Sequence, residues 1–286
     1  MNDYKRKLQL KILEIVKVID KICIDNNIEY YLIYGSVLGA VRHKGFIPWD
    51  DDFDIGMTYE NYIKFQEVCD EQLDTKKYFL QRPENELNYY LSFMRLRDIN
   101  TTLIEVGNKD KDITYGVYVD IFPLVGVPKN RIKRKILEIN RAFALSANIN
   151  VINNKFLHFV FVIILKLVGK KNISKICRKE CVKYSCNDYN DWCSIFDGDN
   201  FNLNLTTRDV MGKPTRVEFE NIKLPIPEKS DSYLRHIYGD YMKIPSAEQI
   251  KAKEHTPYVL DLEHSYDEYL KLNKKGKMKG KQYEQV

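Results

Sequence analysis

The stretch from Tyr34 to Met57, YGSVLGAVRHKGFIPWDDDFDIGM, sets a Gly-Ser pair a short distance upstream of four aspartates in five positions, Asp50, Asp51, Asp52 and Asp54. Before it, Tyr30-Tyr31-Leu32-Ile33-Tyr34 is aromatic and β-branched and stops at Gly35, which predicts a strand ending in a tight turn. Ser36 is then expected to cap a short helix running to His43, with its free backbone N–H groups forming a cradle for phosphate oxygens. Pro48-Trp49 breaks the chain, and Phe53 to Met57 reads as a second strand, in which alternate side chains share a face. Asp52 and Asp54 therefore point the same way, with Cα atoms roughly 6 to 7 Å apart. Carboxylates so spaced converge on one hard cation, and Mg²⁺ commonly binds through one or two carboxylates plus substrate phosphates. Asp50 joins them if the extended conformation reaches back past Asp51.

Aspartate runs also occur as solvated turns or helix caps. Here the flanks argue otherwise, because an ordered strand with Phe53 and Ile55 on its opposite face does not tolerate clustered carboxylates without a counter-charge. A calcium loop of the EF-hand type is ruled out by Ile55 at the glycine position and Asn61 at the bidentate glutamate position.

The run Gly35 to Ile55 resembles the signature of the LicD family, which also contains fukutin and the fukutin-related protein. The resemblance extends to Gly116-Val117-Tyr118-Val119-Asp120-Ile121-Phe122-Pro123-Leu124, to Leu224-Pro225-Ile226-Pro227 and to Tyr238-Gly239-Asp240-Tyr241-Met242. It implies an α/β (α+β) fold, a nucleotidyltransferase-like mixed sheet flanked by helices, with a Gly-Ser turn, an Asp-x-Asp strand and a third carboxylate on a later strand. It also implies a metal-dependent transfer, with Mg²⁺ (or Mn²⁺ in its place) as cofactor. The donor would be a CDP-alcohol, CDP-choline first, and the acceptor a glycan or glycolipid hydroxyl. Glycerol, ribitol or ethanolamine head groups would use the same metal chemistry.

Asp120 is the third carboxylate in this resemblance. It lies mid-strand in an apolar run, where an unpaired charge is costly, so a partner is expected. That partner is a salt bridge, a metal shared with Asp52 and Asp54, or the proton of an acceptor hydroxyl. Arg42, His43 and Lys44 follow the first helix and can reach a diphosphate, although cations at a helix C-terminus are favourable with no ligand. Arg95 and Arg97 alternate and would share a strand face; they are weaker phosphate candidates, since such a face is commonly wet.

Composition narrows the function classes. The +5 charge of this 286-residue chain is spread over 45 basic and 40 acidic residues, too balanced for a dedicated nucleic-acid binder. The 20 tyrosines and 13 phenylalanines can supply a cage for a quaternary ammonium, but the sequence does not choose its members.

Leu8, Ile12, Ile15, Ile19 and Ile22 recur at helical spacing within residues 1–26, which predicts an amphipathic helix rather than a signal peptide and points to the cytoplasm. Six cysteines in a reducing compartment are expected to stay free. Cys177, Cys181, Cys186 and Cys193 cluster but lack Cys-x-x-Cys spacing, so a zinc site is the lesser reading and buried thiols the main one. The expected organisation is a core over 1–127, a helical insertion over 128–190, a completing part over 191–270 and a basic tail over 271–286. Phe156 to Val168 is strongly apolar but falls short of the roughly 20 residues needed to cross a bilayer. With its lysines, segment 155–175 can lie on the inner face of the cytoplasmic membrane or be buried in the insertion. Further on, Arg216 to Phe219 reads as a strand, Pro225 to Pro227 as a turn, and Glu228 to Tyr238 as a helix ended by Gly239. Asp240 and His255 resemble polar positions of the family without an assigned role.

Overall fold

The apolar stripe of the N-terminal segment becomes helix α1 (Asp3–Asp25), which buries Leu8, Ile12, Ile15 and Ile19. The computed structural model describes all residues except 1, 2, 90, 110, 147–151, 153, 199, 253–256 and 275–286. His255 and most of the basic tail therefore lie outside the described residues. After α1 come β1 (Tyr31–Leu32), α2 (Tyr34–His43), β2 (Asp54–Thr58), α3 (Tyr59–Gln72) and β3 (Tyr78–Gln81). Strands β4 (Met94–Asp98), β5 (Thr102–Ile104) and β6 (Val117–Val127) follow, then helices α4 (Arg131–Ser146), α5 (Lys155–Val168) and α6 (Lys170–Cys181). The remainder is β7 (Asp191–Ser194), β8 (Leu205–Thr207), α7 (Arg208–Met211), β9 (Thr215–Phe219), β10 (Ile222–Ile226), α8 (Ser230–Tyr238), α9 (Ala247–Ala252), β11 (Val259–Asp261) and α10 (Tyr266–Lys274).

Among the described residues, seven strands form one mixed sheet, ordered β1-β2-β6-β4-β3, with β7 and β8 continuing from the far half of β6. Strand β6 is central because its alternation leaves Val117, Val119 and Ile121 without measurable exposure. Its first half pairs β2 in parallel and β4 in antiparallel register, and α1 and α3 pack beside it. This is the mixed α/β sheet flanked by helices that the sequence predicts.

Three local readings change. The expected strand Tyr30 to Tyr34 keeps only Tyr31 and Leu32, because the chain turns at Tyr34 itself (φ 49°), one residue before Gly35. Helix α2 thus begins at Tyr34 with Ile33 as its cap, and Ser36 falls inside the first turn rather than capping it. Pro225 lies within β10 and not in a turn; β10 pairs only with β9 among the described residues, so a missing strand N–H is tolerated there.

Candidate active site

Three strands set one row of charge. Asp54 on β2 is the register partner of Asp120 on β6, and Asp120 is the partner of Arg95 on β4. Residues opposite one another share a sheet face, so all three side chains reach a cavity of about 410 Å³. Asp52, Asp197, Ser92 and the rings of Tyr34, Phe93, Phe122 and Phe196 line the same cavity.

Asp120 is held by the fork of Arg95, Nε donating to Oδ1 at 2.6 Å and Nη2 to Oδ2 at 3.3 Å. The third arm of Arg95 reaches Glu105 at 3.0 Å, and its guanidinium lies 3.8 Å from the centre of the Tyr118 ring. Burial raises the Asp120 carboxyl to about 6 even against the attraction of Arg95, which still leaves it ionised at neutral pH. Burial also works to raise Glu105, but the charge and hydrogen bond of Arg95, with Arg97 and Tyr118, bring it down to about 2. The arginine face is therefore dry, not wet: Arg95 and Arg97 are both buried, and Arg97 spends its donors on Gln81 (2.5 Å) and the Gly116 carbonyl (2.8 Å). Arg95 lines the cavity, whereas Arg97 does not.

The aspartate loop is shaped from outside. Buried Gln9 on α1 donates to the carbonyls of Ile47 (3.0 Å) and Asp50 (2.9 Å), and buried Lys5 donates to that of Trp49 (2.9 Å). Phe46 and Phe53 clamp the loop's two ends against Phe219, at ring separations of 5.0 and 5.4 Å. Ser36, displaced from its expected capping role, accepts the Asp54 backbone N–H at 2.8 Å and so ties α2 to the start of β2. The first-turn amides of Ser36 and Val37 go to the Ile33 carbonyl, and that of Tyr34 goes to the Tyr233 hydroxyl. At Gly35 a Cβ would stand 2.9 Å from Asp50 Oδ2, so a larger residue there would push that carboxylate aside.

Carboxylates dominate the field. Burial, followed by the charges of Asp52, Asp120, Asp197 and Asp50, pushes the Asp54 carboxyl well above its usual range. Asp50 is raised by burial and then by Asp52 and Asp51. Asp50, Asp51 and Asp52 bring ligand oxygens within 4.8 Å of one another. No salt bridge to a basic side chain reaches Asp54 among the described residues, while Arg95 serves Asp120. An all-oxygen donor set with excess negative charge fits a hard divalent cation such as Mg²⁺ or Mn²⁺.

The other charged sequence candidates do not line this cavity. Arg42 donates to the Tyr241 carbonyl (2.6 Å) and to His43 Nε2 (2.9 Å), and burial followed by the Arg42 charge lowers His43. Lys44 turns the chain after α2 (φ 55°) and pairs with Glu218 at 3.6 Å on the surface. Asp240 is exposed beyond the end of α8. All six cysteines are buried and free. Sequence reasoning missed Asp197 and Phe196, which follow β7 with no motif around them. It also missed Lys5 and Gln9, although two polar residues four apart on the apolar face of α1 were a readable signal.

Residues 27–150 match the family model described as LicD/FKTN/FKRP, nucleotidyltransferase domain. The chain is 29% identical over 265 residues to the lipopolysaccharide cholinephosphotransferase LicD of Haemophilus influenzae, covering 86% of this chain and 94% of that protein. It is also similar to uncharacterised proteins of Rickettsia typhi (33% identical, 41% of this chain and 35% of the relative) and Rickettsia prowazekii (32%, 40% and 39%).

Proposed function

Because this chain belongs to the LicD family through the domain at residues 27–150, we propose that it moves phosphocholine from CDP-choline to a hydroxyl of a cell-surface glycan, releasing CMP. The observation that carries this reading is the row Asp54, Asp120 and Arg95 across three strands, facing a cavity that Asp52 and aromatic rings complete. The similarity to a lipopolysaccharide cholinephosphotransferase over nearly its whole length supports the choice of group and acceptor.

Asp52 and Asp54 would hold Mg²⁺, with Asp50 beside them. When bound, the cation would neutralise the donor's diphosphate. The acceptor oxygen forms a bond to the choline-bearing phosphorus, the bond from that phosphorus to the CMP oxygen breaks, and CMP leaves with its electron pair. The hydroxyl proton passes to Asp120, whose carboxyl near 6 suits a general base at neutral pH. Oδ2 is the oxygen for this task, because its contact with Arg95 is the longer of the two. Arg95 keeps the carboxylate aimed into the cavity. Phe93 and Phe122, with ring centres 4.2 Å apart, stand with Tyr34 and Phe196 where a quaternary ammonium would gain cation–π attraction. That wall favours choline over an uncharged polyol.

The test is CMP release from a panel of CDP-alcohols with Mg²⁺ and envelope glycan, with and without EDTA, beside Asp54→Ala. The expected result is EDTA-sensitive, acceptor-dependent CMP from CDP-choline, lost in the variant. Pyrophosphate release from a nucleoside triphosphate, with no CMP from any donor, would replace this reading by nucleotidyl transfer.

A further inference from the structure

Helix α5 has the amphipathic pattern of α1, but its apolar stripe is turned outward. Phe156, Phe159, Ile163 and Leu167 recur at intervals of three and four, so they occupy one helix face, and all four are exposed, Phe156 by 76% and Leu167 by 80%. Phe161, on the opposite side, packs against Phe143 of α4. Lys155 and Lys166, three turns apart, share one edge of the stripe, and Lys170, Lys171 and Lys175 stand exposed just beyond Gly169. From Ile139 to Lys179 the chain contains no aspartate or glutamate, although acidic residues number 40 in the whole protein.

We propose that α5 is an interfacial helix that lies flat on an anionic lipid bilayer, its four apolar side chains entering the acyl boundary and the lysines meeting lipid phosphates. The pairing of a wide apolar face with a carboxylate-free basic border is what such a surface requires. A second copy of this chain is a poor occupant, because two such faces would bring their lysines together without counter-charges. The helix does not cross the bilayer: no helix among the described residues is long and apolar enough to do so. Helix α4, whose Phe143 packs on Phe161 of α5, also contributes Leu145 to the cavity wall.

The experiment is co-sedimentation of the full chain with phosphatidylcholine vesicles, with and without phosphatidylglycerol. These vesicles carry no glycan and no donor, so the outcome is independent of the transferase reading. Binding to the anionic vesicles that weakens with salt is expected. Lys170→Gln with Lys171→Gln should lower affinity about fivefold per lysine, and Phe156→Ser with Leu167→Ser about tenfold or more. All four positions are exposed, so circular dichroism should report an unchanged fold. Tryptophan at the stripe, introduced as Phe159→Trp, should shift to the blue on vesicle addition and be quenched by brominated lipid. Absence of binding to anionic vesicles, binding that survives Phe156→Ser with Leu167→Ser, or an unshifted tryptophan would overturn the proposal. A dimer dissolved by the same serine substitutions would assign the face to a second copy instead, and would overturn it equally.

Discussion

Arg95 and Asp120 are unequal partners, although they share one buried fork. Asp120 opens onto a cavity where other carboxylates already repel it, whereas Arg95 also holds Glu105 and covers the Tyr118 ring. Removing the cation strands two carboxylates. Arg95→Met should therefore destabilise the protein by about 3 to 5 kcal/mol, measured as the shift in urea midpoint; a loss below 1 kcal/mol would show that the fork is not what holds the row. Arg95→Lys keeps the charge but loses the planar fork, and should fall between that variant and wild type. Asp54 presents the opposite case. Burial and four neighbouring aspartates oppose its charge, so Asp54→Asn should leave the metal-free protein more stable by about 1 to 2 kcal/mol while abolishing turnover. A thermal melt in EDTA reads the first effect and CMP release the second. A destabilised Asn variant would contradict the repulsion argued here.

The aspartate loop and the β9–β10 hairpin are bound to one another and to α1. The hairpin turns at Glu220 (φ 54°), and its carboxylate takes both arms of Arg6, at 2.9 and 2.7 Å, and the Phe46 N–H at 3.3 Å. The hydrogen bond from Arg6 first, with the Phe46 amide and the Arg6 charge outweighing burial, lowers the Glu220 carboxyl below its ordinary value. A depressed carboxylate stabilises the fold at pH values above its unfolded pKa, and that contribution fades as pH falls through the folded one. Glu220→Gln should thus cost about 0.5 to 1 kcal/mol at pH 7, modest because Arg6 is partly exposed and screened by solvent. The gap between variant and wild type should close below about pH 4, and melts at pH 7 and pH 3.5 would read it. An equal gap at both would mean that packing, not charge, carries the effect. The same element shows how far local pattern reaches. Strand β9 was legible from alternation and the end of α8 from Gly239, but the insertion of Pro225 into β10 was not, because an edge position is a property of the sheet.

Over the whole molecule, a sheet, the start of α2 and a loop pinned by α1 gather more carboxylates than cations. Folding against that repulsion is costly, and a divalent ion bound to the native state alone should offset it. Mg²⁺ at about a hundred times its dissociation constant should add about 2.7 kcal/mol, seen as a rise in melting temperature that EDTA reverses and that Asp52→Ala with Asp54→Ala removes. An unchanged melt in wild type would exclude a folded-state metal site at these residues. What could be read along the chain was whatever depends on neighbours in sequence. The amphipathic α1, the alternation of β6 and the apolar run of α5 all follow from side-chain periodicity within one segment, whereas the expected strand starts only at Asp54 and leaves Asp52 in the loop before it. Partnership could not be read that way. Arg95 meets Asp120 across 25 residues and Gln9 holds Asp50 across 41, while Asp197 reaches the cavity from a loop with no motif. Periodicity says which face a residue takes, but what lies opposite that face depends on how strands are ordered and helices docked, and that emerges only when distant segments bury their apolar surfaces together.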